Sequence, residues 1–194
     1  MLVSPIGTTS FRVLGIDPGI TYMGVAIIEW ERHFDQGLLV YHETLKSPQS
    51  LLRCPQWTTH GDRLAILQGH SQRLLDIFLT HRPHFIIRES PFLDRRLNRI
   101  QAFSSLIECG MMISQTTYAY NPSISVELVP PASIKKVVGI DPHSKDKVLV
   151  LDALLKITKI DHQGVSLPML STHVLDAYGA CIYKLYGLGY EVFS

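Results

Sequence analysis

The sequence has no apolar stretch approaching the ~18 residues that a membrane-crossing helix needs, so no membrane partner is expected. Charge of one sign is also lacking: 18 Lys and Arg stand against 17 Asp and Glu, leaving +1. That balance excludes a disordered acidic or basic chain. As a bare sum it speaks weakly against a nucleic-acid partner, whose phosphates usually demand a basic excess. Cysteine is scarce and unpatterned. Cys54, Cys109 and Cys181 are an odd set, read as small core residues in a reducing compartment, and a cytoplasmic location is expected. Residues 1–10, MLVSPIGTTS, have neither a basic n-region nor a long apolar core, so they read as a flexible N-terminal tail and not as a signal peptide. No internal repeat or low-complexity segment appears.

A 46% hydrophobic content in 194 residues is enough for one domain with a proper core, expected over residues 11–190. The basic residues are clustered. Arg88, Arg95, Arg96 and Arg99 lie in one stretch, and Lys135, Lys136, Lys145 and Lys147 in another. Were several carboxylates occupied by metal, the surface facing a polyanion would be more positive than the sum implies.

Hydrophobic periodicity sets the expected elements. FRVLGI (11–16) and GVAIIEW (24–30) read as a hairpin around the turn DPGITYM, and GLLVYH (37–42) as a third strand of a meander. Residues 46–62 read as a loop. A helix follows from Asp62 to about Thr80, stopped by His81-Arg82-Pro83, and then a buried strand over 84–89 that Ser90-Pro91 ends. Asp94 is placed to cap a helix across 95–114. That helix carries two apolar stripes, Leu97, Ile100, Ile107 and Met111 on one side and Phe103, Leu106, Gly110 and Ile113 on another. Either it lies deep in the monomer or its outer stripe forms a dimer seam. A strand at 124–129 and helices at 131–138, 144–158 and 171–186 complete the chain. A meander followed by alternating strands and helices predicts an α/β domain with a mixed, five-stranded sheet flanked by helices.

Two acids close two apolar strands. Asp17 ends VLGID before Pro18-Gly19 turns the chain back, and Glu89 ends FIIRE before Ser-Pro. A carboxylate at such a rim is fixed by the sheet yet open to solvent, where ligands of α/β sheets gather. In THVLDAYGACIYKL (172–185), Val174, Tyr178, Cys181 and Leu185 form a core stripe, while His173 and Asp176, spaced i and i+3, share an adjacent face. Each has an ordinary explanation as well. Asp17 suits a turn, Glu89 a strand-end ion pair, Asp176 a solvated helix face, and His173 a surface or capping group with Asp161 and His162 as rivals. Together they match the donor set for hard divalent ions. Phosphodiester cleavage by two such ions needs three or four acids from separate elements, with water attacking phosphorus directly.

The order of these motifs resembles one family. GIDPG with Gly24-Val25-Ala26, an acid after an apolar strand with Phe92 three residues on, Pro-x-x-Ile-Lys-Lys-Val-Val-Gly (131–139) with Lys145 and Lys147, and His-x-x-Asp-Ala are similar to RuvC-type Holliday-junction resolvases of bacteria and phages, over about residues 12–186. The resemblance implies a ribonuclease-H-like fold and a homodimer with two active sites that nick opposite strands of a four-way junction. It also implies Mg²⁺ or Mn²⁺ as cofactor, two ions per site, held by Asp17, Glu89, His173 and Asp176. Phe92 falls where the family has a base-stacking aromatic. Arg95, Arg96, Arg99, Lys135, Lys136, Lys145 and Lys147 are the expected DNA contacts, though the spacing around the lysines is off by one residue and leaves open which ones meet phosphate. The 43–61 loop and near-neutral charge depart from the usual pattern. The alternatives are a YqgF-like nuclease acting on structured RNA, which shares the DPG hairpin, and a non-catalytic junction-binding protein. An ATPase of the actin type is less compatible, since it needs two such domains.

Overall fold

Alternate residues of the first strand face opposite ways, and both faces are covered. In the computed structural model, which describes residues 9–46, 62–91, 100–144 and 146–193, β1 (Ser10–Asp17) buries Phe11 and Val13 in one hydrophobic cluster and Leu14 and Ile16 in a second. A strand apolar on both faces belongs at the centre of a layered α/β sheet. β1 pairs antiparallel with β2 (Tyr22–Glu31), and β2 antiparallel with β3 (Gln36–Lys46). Asp35, at φ 50°, makes the left-handed step of the β2–β3 turn. On the other side β1 pairs parallel with β4 (Phe85–Glu89), which pairs parallel with β5 (Val126–Val129).

The sheet has six strands in the order β5-β4-β1-β2-β3-β6. The sixth, β6 (Ile160–Asp161), is a two-residue strand beside Gly37 and Leu38. Sequence reading misses it because two residues are too few to show an alternation.

Helix α1 (Asp62–His81) buries Leu74, Ile77 and Phe78 against the face formed by Leu14, Ile16, Val25 and Ile27, beside α2 (Ile100–Tyr120). α2 runs six residues past its expected end at 114, until Asn121-Pro122. Its β-branched Thr116 is accommodated by returning its hydroxyl to the Met112 carbonyl at 2.9 Å. Cys109, Met112 and Ile113 are buried, while Ile107 and Met111 are exposed, so the helix has one core stripe and one open stripe. The opposite sheet face carries α3 (Pro131–Val137), α4 (Lys147–Leu154) and α5 (Thr172–Gly187). α4 is shorter than the expected 144–158. Asp146 caps it, accepting from the Val148 N–H at 2.9 Å, and the chain leaves helical geometry after Leu155. Among the described residues no helix is long and apolar enough to cross a membrane. Of the loop expected around 46–62, Lys46 closes β3 and Asp62 opens α1, and residues 47–61 lie outside the described residues, as does the Asp94 cap.

Candidate active site

The parallel pairing of β1 and β4 brings their C-terminal ends to the same rim, so Asp17 and Glu89 meet there. The third element arrives because two glycines let a helix come unusually close. A Cβ on Gly15 would lie 2.0 Å from the Ala177 carbonyl oxygen, and one on Gly24 would lie 1.9 Å from that of His173. Any larger residue in β1 or β2 at these points would lift α5 off the sheet. The start of α5 is pinned further by Ser171, whose hydroxyl accepts from the Val174 N–H at 3.2 Å and lies 2.5 Å from the Thr44 hydroxyl. His173 and Asp176 are thereby set over the rim.

His173 Nδ1 is 2.6 Å from Asp17 Oδ2, and the His173 ring stacks on Tyr22 with centroids 5.8 Å apart at 23°. With Nδ1 donating to the carboxylate, Nε2 turns its lone pair outward. Asp176 accepts from Lys147 Nζ at 3.3 Å. Glu89 and Asp176 line a common niche with Lys135, Ile134, Leu175 and Gly179. Lys135 is held over it by donating to the Ser144 carbonyl at 2.7 Å.

Electrostatics mark these acids as unsatisfied. Burial, then repulsion from Asp17 and Asp176, pushes the Glu89 carboxyl up to about 8 against the partial relief of Lys135 and Lys147. Burial pushes Asp17 up to about 6, opposed by its bond to His173. Three carboxylates repel one another, and Lys135 and Lys147, the latter paired with Asp176 at 3.3 Å, offset only part of that repulsion at Glu89. Hard oxygen donors plus one imidazole suit a divalent ion such as Mg²⁺ or Mn²⁺. Among the described residues no three donors close around one point. An ion here would thus take one or two protein oxygens and complete its shell with water or phosphate, the usual habit of Mg²⁺.

The structure thus brings together Asp17, Glu89, His173 and Asp176, with Lys135 and Lys147 beside them. Lys136 is directed elsewhere, lining a groove with Ser133, Val137, Tyr183, Tyr186 and Gly187. Phe92, Arg95, Arg96, Arg99 and Lys145 lie outside the described residues. His162 does not compete for the site, because its Nε2 is 2.9 Å from the hydroxyl of buried Tyr178. Two supporting residues were not singled out from the sequence. Tyr22 stacks on His173, and buried His70 places Nε2 2.7 Å from the Ile20 carbonyl, holding the turn after Asp17 from beneath. Burial pushes the His70 pKa down, toward the neutral ring. No spacing signal could have revealed His70, which lies 50 positions from its partner.

Comparisons with known proteins agree with this architecture. No protein-family model matches the chain. Two curated relatives, both crossover junction endodeoxyribonucleases RuvC from strains of Dehalococcoides mccartyi, are 30% identical over 145 residues, which is 74% of this chain and 77% and 78% of theirs. Among solved structures, T. thermophilus RuvC in complex with a Holliday junction substrate superposes with a TM-score of 0.65 at 15% identity, over 95% of this chain and 99% of that one. The yeast mitochondrial Holliday junction resolvase Ydc2 gives 0.62 at 16% identity, over 93% and 79%. Fowlpox virus resolvase with Holliday junction DNA gives 0.53 at 14%, over 92% and 99%. At such identities the solved structures establish the shared ribonuclease-H-like fold. The Dehalococcoides sequences carry the assignment further: this chain belongs to the RuvC family of crossover junction endodeoxyribonucleases.

Proposed function

We propose that this protein resolves four-way DNA junctions by paired, symmetric nicks, using divalent metal ions held by Asp17, Glu89 and Asp176 with His173 beside them. The observation that carries the reading is the cluster of half-buried, mutually repelling carboxylates brought to one sheet rim, with Glu89 raised to about 8 and Asp17 to about 6. A bound ion pair would supply Lewis acidity at phosphorus and neutralise charge at the attacking and leaving oxygens.

The chain's own residues do the rest. Asp17 and Glu89 leave the ends of paired strands, which place their oxygens more narrowly than a loop would. His173, oriented by Asp17 and Tyr22, presents Nε2 to the solvent side of the rim, where it can accept or return a proton. Lys147 neutralises Asp176 before substrate arrives and is exposed enough to turn to a phosphate. Lys135, tied to the Ser144 carbonyl, contributes positive charge next to Glu89. Phe92, three residues after Glu89, is proposed to stack on bases at the crossover, and Arg95, Arg96, Arg99 and Lys145 to follow the backbone. Two copies are needed for two nicks, and the exposed Ile107 and Met111 of α2 form a suitable seam.

The test is incubation of the protein with a labelled four-way junction, a linear duplex and a structured RNA, each with and without Mg²⁺ or Mn²⁺. Metal-dependent paired nicks in the junction alone are expected. Preferential cutting of the RNA would favour the YqgF-like alternative, and junction binding without turnover would identify a scaffold; equal cutting of linear duplex would sink junction selectivity.

A further inference from the structure

Arg88 is a buried cation with no acid paired to it among the described residues. The residue is 7% exposed, and among the described residues its Nε has no hydrogen-bond partner and no carboxylate pairs with it. The other buried cation, Lys184, donates to Glu127 at 2.5 Å. Burial pushes the Arg88 pKa down, yet a guanidinium stays charged in a protein. An apolar side chain would continue the buried run Phe85-Ile86-Ile87 at lower desolvation cost, so packing alone does not account for arginine here.

Its contacts do. Nη1 donates to the main-chain oxygen of Glu89 at 3.0 Å. The guanidinium lies over Gly110 of α2, where a Cβ would come within 2.4 Å of Nη2. The pairing of β4 with β1 runs out at Ile16 and Arg88, so the Glu89 peptide has a ladder neighbour only on the β5 side, at Val129. Ser90 still donates its N–H to the Val129 carbonyl at 2.8 Å, and Pro91, with no N–H, ends the pairing. The last peptide of β4 is thus held from β5 through the Ser90 N–H and from Arg88 through the Glu89 carbonyl, with no strand on the β1 side, and it follows directly on the acid.

We propose that Arg88 is a positioning residue for Glu89, a strut between the backbone of α2 at Gly110 and the Glu89 carbonyl that fixes the direction in which the Glu89 carboxylate leaves the sheet. The inference rests on the reading of Glu89 as a metal-binding acid. It deepens that reading by assigning a role to a residue that does not touch the substrate or the ion.

The experiment compares Arg88→Met, Arg88→Lys and Gly110→Ala with wild type in three measurements: Mn²⁺ binding by titration calorimetry, kcat and KM on a four-way junction, and thermal melting in EDTA. Residues that orient metal ligands typically change affinity or activity by about 10–100-fold. Arg88→Met is expected to melt at or above the wild-type temperature, to weaken Mn²⁺ binding and kcat by about that factor, and to leave KM unchanged. Gly110→Ala, which displaces the guanidinium, should reproduce the loss of Mn²⁺ affinity, and Arg88→Lys should recover part of it. Wild-type Mn²⁺ affinity in Arg88→Met overturns the proposal, as does a loss that merely follows a lowered melting temperature. Should Arg88→Met fail to fold, Gly110→Ala decides, and wild-type affinity there overturns it equally. A wild-type protein that neither binds Mn²⁺ nor cuts the junction would instead sink the nuclease reading beneath it.

Discussion

The two ends of the sheet handle charge in opposite ways. At the end where β1 and β4 begin, ionic groups are matched: Arg12 makes two hydrogen bonds to Glu29 Oε2, at 3.0 and 2.9 Å, and a third to the His81 carbonyl at 2.7 Å. Lys184 is paired with Glu127 and lies 5.0 Å from the Phe85 ring centre. At the end where the same strands finish, Asp17, Glu89 and Asp176 crowd together, with Lys135 and Lys147 as the cations beside them. Matched charges near a sheet edge serve the fold, whereas a repelling cluster is relieved by retained protons or by a bound cation, and such clusters concentrate at functional sites. The contrast separates structure from chemistry within one layer of strands.

Breaking the reactive end should have the largest effect. Asp17→Asn keeps the shape of the rim while removing the carboxylate charge next to His173. Junction cleavage is expected to fall by at least about 10³-fold, comparable to loss of a central catalytic group, while junction binding in a gel-shift assay persists. Substantial cutting by this variant would contradict the placement of the metal site.

The next effect is on stability, and its sign follows from the raised carboxyls. The folded state of the metal-free protein keeps protons on Glu89 and Asp17 that the unfolded chain has already released. Stability should therefore be greatest near the ordinary carboxylate range and fall as pH rises toward about 8, by an amount of order a few kcal/mol. Urea melts in EDTA between pH 5 and pH 8.5 would read this slope. Glu89→Gln should flatten most of it, and added Mn²⁺ should oppose it, since metal binding favours the deprotonated acids. A melt insensitive to pH across this window would mean the acids are not crowded as described.

At the opposite end the same kind of substitution should give a different phenotype. Lys184→Met strands Glu127 and removes a contact with Phe85, so a loss of about 1–2 kcal/mol is expected in the melt, with the cleavage rate per folded molecule unchanged. Arg12→Leu, at a more exposed pair, should cost about 1 kcal/mol or less, again without a kinetic effect. A kinetic defect in either variant would erase the distinction between the two ends.

The candidate site was partly legible before the fold. Asp17 and Glu89 were visible because each closes an apolar run ahead of a proline, and Asp176 with His173 because three positions on a helix share a face. The lysines were not sorted, since Lys135 and Lys136 are adjacent on a short helix and sequence gives no sign of which side meets the rim. Packing sorted them: Lys135 reaches the niche and Lys136 a separate groove. The open stripe on α2 was recognised as apolar, but whether it lay inside the monomer depended on which neighbours the sheet supplied.

Local chemistry alone determined the five longer strands, their turns and which side chains have donor oxygens, because period, proline and glycine act over a few residues. What only the tertiary structure decided is distance: parallel pairing brought Asp17 to Glu89, and the bare backbones of Gly15 and Gly24 let α5 lower His173 and Asp176 onto them. Contacts between residues 156 positions apart depend on how whole layers seat against one another, and no local pattern encodes that.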